Sequence, residues 1–497
     1  MLARSAMSCQ RRARQKKRVT MDTVWNQQSA LVLSAALDQR RVSAESLMQC
    51  FIERIEIANP ALNAIVSMRA VETLLAEAQA RDRAWQDTPR ASWLDGLPIA
   101  IKDLSATAGL TTTLGSPLFA DHIPEADELM VSRLRAAGAI IIGKTNTPEF
   151  GLGSQTYNRL FGATGSAYDP SLTAGGSSGG AGAALGARML PVADGSDMMG
   201  SLRNPAAFNN VFGLRPSAGR VPAWPAADVL TPALGTQGPM ARHAIDLAAL
   251  LAIQSGADAR VPQSLTDDPS ELAAPLTGDI NGRRIAWLGD WAGHYPTEAG
   301  VLSVCDNALG RLESAGATIE RITPRFDPAR LWRAWCVLRQ IAIAGKLEDL
   351  YRDPVRRAEL KLEAVWEIES GLGRSAIEGH HAQVARSAWL VELNRLFESF
   401  DAIALPSAQV FAFDKTCHWP DTIAGRPMDT YHRWMEIVVP GSLSVGPSLA
   451  MPAGFDDHAR PMGIQLLGPP RGERSLLEIA AGYERVAHDM LTRTPAV

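Results

Sequence analysis

The sequence predicts an α/β fold with one large mixed central β-sheet flanked by helices on both faces. Three observations carry that expectation. Short apolar runs recur along the 497-residue chain, helical patterns separate them, and the make-up of 46% hydrophobic, 21% charged and 6% aromatic residues suits a globular enzyme with a sizeable core. That composition excludes disordered and fibrous classes. No apolar run reaches the roughly 18 residues that a membrane-spanning helix needs, so no membrane partner is expected.

Residues 1–20 carry seven positive charges and no negative one, which leaves −11 for the rest of a chain whose net charge is −4. Residues 1–22 therefore read as a disordered basic leader. They lack the apolar stretch and small-residue cleavage site of a secretory signal, and Met21 offers a second start. The mildly acidic body does not seek nucleic acid, and the expected location is the cytoplasm. Residues 23–497 are expected to form a single domain.

Ser43 caps a helix with Glu45 in its first turn and Leu47, Phe51 and Ile55 along one face, and Asn59-Pro60 should stop it. Buried strands follow at 97–101, 139–142, 190–193 and 211–214, alternating with helices at 71–85 and 126–137, the second closed by Gly138. Later runs at 284–288, 318–322, 402–405, 448–451 and 464–467 continue the strand supply, which one sheet could absorb. Residues 327–400 are helical in pattern and strand-poor, a cap over the site. Residues 332–434 hold six of the twelve tryptophans, Trp332, Trp335, Trp366, Trp389, Trp419 and Trp434, which fill the core or line the pocket.

Five scattered cysteines never form C-x-x-C, and nine histidines show no metal-ligand spacing. No metal and no cofactor is implied. The residues that bear chemistry lie elsewhere. Lys102 ends an apolar strand, where burial would lower its pKa and make it a general base; the alternative is a strand-end lysine paired with Asp103. The loop Gly175-Gly176-Ser177-Ser178-Gly179-Gly180 lets backbone amides approach a reacting atom, and it lacks the lysine of a phosphate-binding P-loop. It matches G-x-S-x-G at Ser177 and at Ser178, so an α/β-hydrolase using His243, His294, His432 or His488 stays open. Ser201 follows a strand and either presents its hydroxyl beside converging N–H groups or caps the next helix.

Together these residues resemble the amidase signature family. The likeness runs from the Ser43 helix to residues 463–469. Its most specific part is residues 96–216, which hold the lysine strand, Gly143-Lys144-Thr145-Asn146-Thr147-Pro148-Glu149-Phe150, the glycine-serine loop, the Ser201 segment and Phe212-Gly213-Leu214-Arg215-Pro216. The resemblance implies an amidase that acts on small-molecule carboxamides through a Ser-cisSer-Lys triad. Ser201 would be the nucleophile, Ser177 the bridging serine in a cis peptide and Lys102 the base, with the backbone N–H groups of Met198, Met199, Gly200 and Ser201 as oxyanion hole and Ser178, Asp197 and Arg203 in support. It also admits the glutaminase subunit of an amidotransferase, and a scaffold that keeps the fold without the chemistry. Family members are often dimers, which leaves a homodimer open. The family usually places two glycines before the nucleophile, where this chain has Met199-Gly200. A methionine there disfavours positive φ and narrows the space beside the reacting carbon, which predicts a shifted substrate choice.

Overall fold

The computed structural model describes residues 25–231 and 234–497; the basic leader and Met21 lie outside them. The strands that matter are β1 (Ile65–Val66), β2 (Pro98–Lys102), β3 (Ile140–Thr145), β4 (Val192–Asp197), β5 (Phe212–Arg215), β6 (Thr236–Ala241), β7 (Arg284–Trp287), β8 (Thr318–Arg321), β9 (Ala402–Pro406), β10 (Ser448–Phe455) and β11 (Pro461–Leu467). Eight of them form one mixed sheet in the order β8-β7-β9-β11-β10-β5-β6-β4. β7 pairs parallel with β8 and β9, and the other neighbours are antiparallel. Helices cover the sheet: Arg203–Phe208 and Val301–Ser314 both pack on β10 and β11, and Ala244–Gln254 packs on β6.

The large sheet does not take every strand. β2 and β3 pair parallel in a separate three-stranded sheet, with β1 antiparallel on the far side of β3. The two sheets meet where the Lys102 amide donates to Asp194 Oδ1 of β4 at 3.0 Å. All five residues of β2 are buried, as are all six of β3, so their apolar runs cannot tell which sheet they join. β6 escaped the apolar pattern because its sequence, Thr-Gln-Gly-Pro-Met-Ala, contains two strand breakers. Its ladder with β5 covers only Met240 and Ala241, so Pro239 lies outside that pairing, and the full-length partner is β4.

The helix Ala44–Leu62 is capped by Ser43, whose hydroxyl accepts from the Ser46 amide at 3.0 Å, yet it runs past Pro60 rather than stopping there. Pro60 sits in the last turn, where Asn59 holds the reversal: its Oδ1 accepts from the Ala64 and Ile65 amides, both at 2.9 Å, and Asn63 turns left-handed with φ 53°. Residues 327–400 carry the helices Pro328–Arg352, Pro354–Ala358, Leu362–Leu372 and Ala376–Phe397. Asp327 caps the first by accepting from the Ala329 amide at 2.9 Å, and Ser375 with Glu378 forms a capping box at the last. A small apolar cluster joins Phe150 and Leu152 of the body to Ile343, Leu347, Ala364 and Ile368 of these helices.

Candidate active site

Lys102 stands at the carboxyl end of β2 and is 1% exposed. Its Nζ donates to Ser177 Oγ and Ser178 Oγ, each at 2.8 Å, and to Ser196 Oγ at 3.0 Å. Asp103 does not pair with it; that carboxylate accepts from the Thr113 amide at 3.0 Å and from the Thr113 hydroxyl. Burial pulls the Lys102 amine down to about 7 against the opposing pull of Asp194 and Asp197. An amine at that level exchanges protons near neutrality.

The glycine-serine loop leads into the helix Gly179–Gly186, and the Gly176–Ser177 peptide bond is cis. Ser178 precedes this helix without capping it; its hydroxyl faces Lys102 and the Ser196 backbone instead. The loop's glycines serve close packing: a Cβ at Gly180 would lie 2.3 Å from the Asn146 nitrogen. Small residues thus seat this helix against the backbone of Asn146, which follows β3, and of Ala64.

Asp197 ends β4 and gathers the segment after it. Its Oδ1 accepts from the Gly200 amide at 2.8 Å and its Oδ2 from the Leu202 amide at 3.2 Å, while Arg203 reaches both oxygens, Nε at 2.9 Å and Nη2 at 3.0 Å. Burial alone would raise this carboxyl. Arg203, Arg215 and the loop amides outweigh burial and hold it well below the usual carboxylate range. Arg203 goes on to the Val438 carbonyl at 3.0 Å, Gln465 Oε1 at 2.6 Å and Ser442 Oγ at 2.8 Å. The Gly200 amide is thereby engaged, whereas those of Met198, Met199 and Ser201 have no acceptor among the described residues.

Positive φ in this segment falls on Gly200, at 78°, and not on Met199. The Met199 side chain is buried in the main core and does not line the cavity. The expected narrowing by Met199 is therefore corrected: the methionine that borders the open space is Met198. Ser201 does not cap the following helix, and among the described residues no hydrogen bond holds its hydroxyl.

Ser177 and Ser201 open on one cavity of about 230 Å³. Its walls include Leu104, Phe150, Leu152, Gln237 and, from the helix Pro328–Arg352, Arg339, Ile343 and Lys346. Among the described residues no histidine and no tryptophan lines it; Trp335, Trp389 and Trp434 lie fully buried in the core. Elsewhere His243 faces Glu484 and His294 faces Glu436. No sequence signal marked Arg339, because a helical arginine reads as surface. Here its Nε donates to Glu367 Oε1 at 2.5 Å, its Nη2 to the Tyr431 hydroxyl at 2.6 Å, and its Nη1 lies 3.4 Å from Met198 Sδ. Among the described residues no three histidine, cysteine or carboxylate side chains gather as a metal site, and no helix is long and apolar enough to cross a membrane.

Residues 46–477 match the Amidase family model. An acylamidase of Rhodococcus erythropolis is 31% identical over 461 residues, 92% of this chain and 95% of its own length. A glutamyl-tRNA(Gln) amidotransferase subunit of Synechococcus sp. (strain RCC307) is 32% identical over 489 residues, 93% of this chain and 98% of that one. Among solved structures, a bacterial aryl acylamidase of the amidase signature enzymes superposes with a TM-score of 0.85 at 25% identity, covering 94% of this chain and 99% of that chain. A match spanning nearly the whole chain, on a mixed eight-stranded sheet, means that the chain belongs to the amidase signature family.

Proposed function

We propose that the protein is an amidase that hydrolyses linear carboxamides through an acyl-enzyme intermediate, with Ser201 as nucleophile, Ser177 as proton bridge and Lys102 as base. The observation that carries this reading is the buried Lys102 Nζ, 2.8 Å from Ser177 Oγ and held down to about 7. Neutral Lys102 takes the Ser177 proton while Ser177 takes that of Ser201, and Ser201 Oγ bonds to the amide carbon. The carbonyl electron pair moves onto oxygen, where the unengaged amides of Met198, Met199 and Ser201 receive it. As the C–N bond breaks, the proton on Lys102 returns through Ser177 to the leaving nitrogen. Water then repeats the path, gives its proton to the relay and releases the acid from Ser201.

An α/β-hydrolase mechanism has no support, because among the described residues no histidine lines the cavity. A fluorophosphonate probe tests the assignment. Labelling at Ser201 that disappears in Ser201→Ala is expected, together with ammonia or amine release from simple amides; an unlabelled protein inert on every amide would return the scaffold reading. The amidotransferase relative, 32% identical, favours a second reading as a glutaminase subunit. Turnover of simple amides by the isolated chain without preference for glutamine excludes it.

A further inference from the structure

The helix Pro328–Arg352 turns one stripe toward the cavity, with Arg339, Ala342, Ile343, Lys346 and Leu347 at the spacing of a single helical face. Two of these five are cations, and their surroundings differ. Arg339 is matched by Glu367, and only its Nη1 faces a weak acceptor, the Met198 thioether. Lys346 lies two turns further on, roughly 10 Å along the helix axis. It is exposed at the mouth, and among the described residues it has neither hydrogen bond nor ion pair.

Two carboxylates bear on the site, Glu128 by its charge and Asp197 as part of the cavity wall, and both are spent. Glu128 acts on the Lys346 ammonium only from a distance; it accepts from Gln237 and Ser105, and burial pushes it up to about 7, so it is only partly charged near neutrality. Asp197 is consumed by Arg203 and the loop amides. The remaining wall is largely apolar, from Leu104, Phe150, Leu152, Ile343 and Leu347. An unmatched ammonium at the mouth of such a cavity attracts an anion.

We propose that the amide this site hydrolyses bears a carboxylate, separated from the amide by a short apolar chain and received by Lys346 while the carbonyl sits between Ser177 and Ser201. The proposal rests on the amidase reading and names its substrate class. The apolar chain fills the wall between the two ends, and the charge pair fixes which end enters first.

Matched substrates test it: glutaryl and adipoyl p-nitroanilides against their methyl esters for an acid on the acyl side, and N-hexanoyl-4-aminobenzoate against its methyl ester for one on the leaving side. In at least one pair the carboxylate form should show the higher kcat/KM. That preference should fall about tenfold or more in Lys346→Met, as for one lost charge-assisted hydrogen bond, persist in Lys346→Arg, reverse in Lys346→Glu and weaken with added salt. Binding of adipate against hexanoate, measured by calorimetry, gives a readout that needs no turnover. Neutral amides turned over with no Lys346-dependent preference in any pair would overturn the carboxylate subsite and leave the amidase intact. Inert probes with adipate still bound more tightly through Lys346 would keep the subsite and overturn the amidase; equal binding of the two acids alongside inert probes overturns both.

Discussion

Lys102 is buried among three serine hydroxyls, and the consequence is a pH dependence. In the proposed mechanism the amine, protonated below about pH 7, cannot take the Ser177 proton there and is free to take it above. The expected kcat/KM for a neutral amide therefore rises with pH through about 7 and then levels. Lys102→Ala should lower it by about 10²–10⁴-fold and erase that limb, and a flat profile in the wild type would detach Lys102 from the chemistry. The two methionines separate in the same way. Met199 is core, so Met199→Ala should cost about 2–5 kcal/mol in chemical denaturation while relative rates on an amide panel stay put. Met198 borders the cavity, so Met198→Ala should change those relative rates.

Among the elements, the segment from Asp197 to Arg203 holds its shape through a fully buried ion pair rather than through helix propensity, since the helix Arg203–Phe208 has no side-chain cap. Removing one partner strands the other in an apolar interior. Arg203→Ala should thus destabilise by about 3–5 kcal/mol, read from urea unfolding. The helix Gly179–Gly186 sits on a backbone approach that tolerates no side chain. Gly180→Ala should cost about 1–3 kcal/mol or more and lower activity, because the shift it forces is passed to Ser177; unchanged activity and stability would mean that the helix backs away freely.

At the scale of the whole molecule, the helical region 327–400 joins the body through contacts beside Leu152, a residue of the cavity wall. The Lys361 amide donates to Glu149 Oε2 at 3.0 Å and its Nζ to the Leu152 carbonyl at 2.6 Å, and Tyr157 donates its hydroxyl to Glu363. One apolar core draws on residues from Ala30 to Met490 and takes in Trp335 and Trp389 of this helical region. One cooperative calorimetric transition for residues 23–497 is therefore the expected outcome, and a separate early transition that Lys361→Met moves on its own would make the cap a second unit.

The sequence by itself determined the strand supply and the Ser43 cap, because apolar periodicity and capping are local signals, and its resemblance to the amidase signature family supplied Lys102, Ser177 and Ser201 as the candidate triad. It misjudged Pro60 and passed over β6, since a proline reads as a stop until the ladder around it is known. Only the tertiary structure decided that β2 and β3 leave the large sheet, that Met198 rather than Met199 meets the cavity, and that Arg339 and Lys346 line the same cavity as the two serines. Each of these is a contact between segments far apart in the chain, and a side chain's direction is set by what the fold packs against it, which no local pattern encodes.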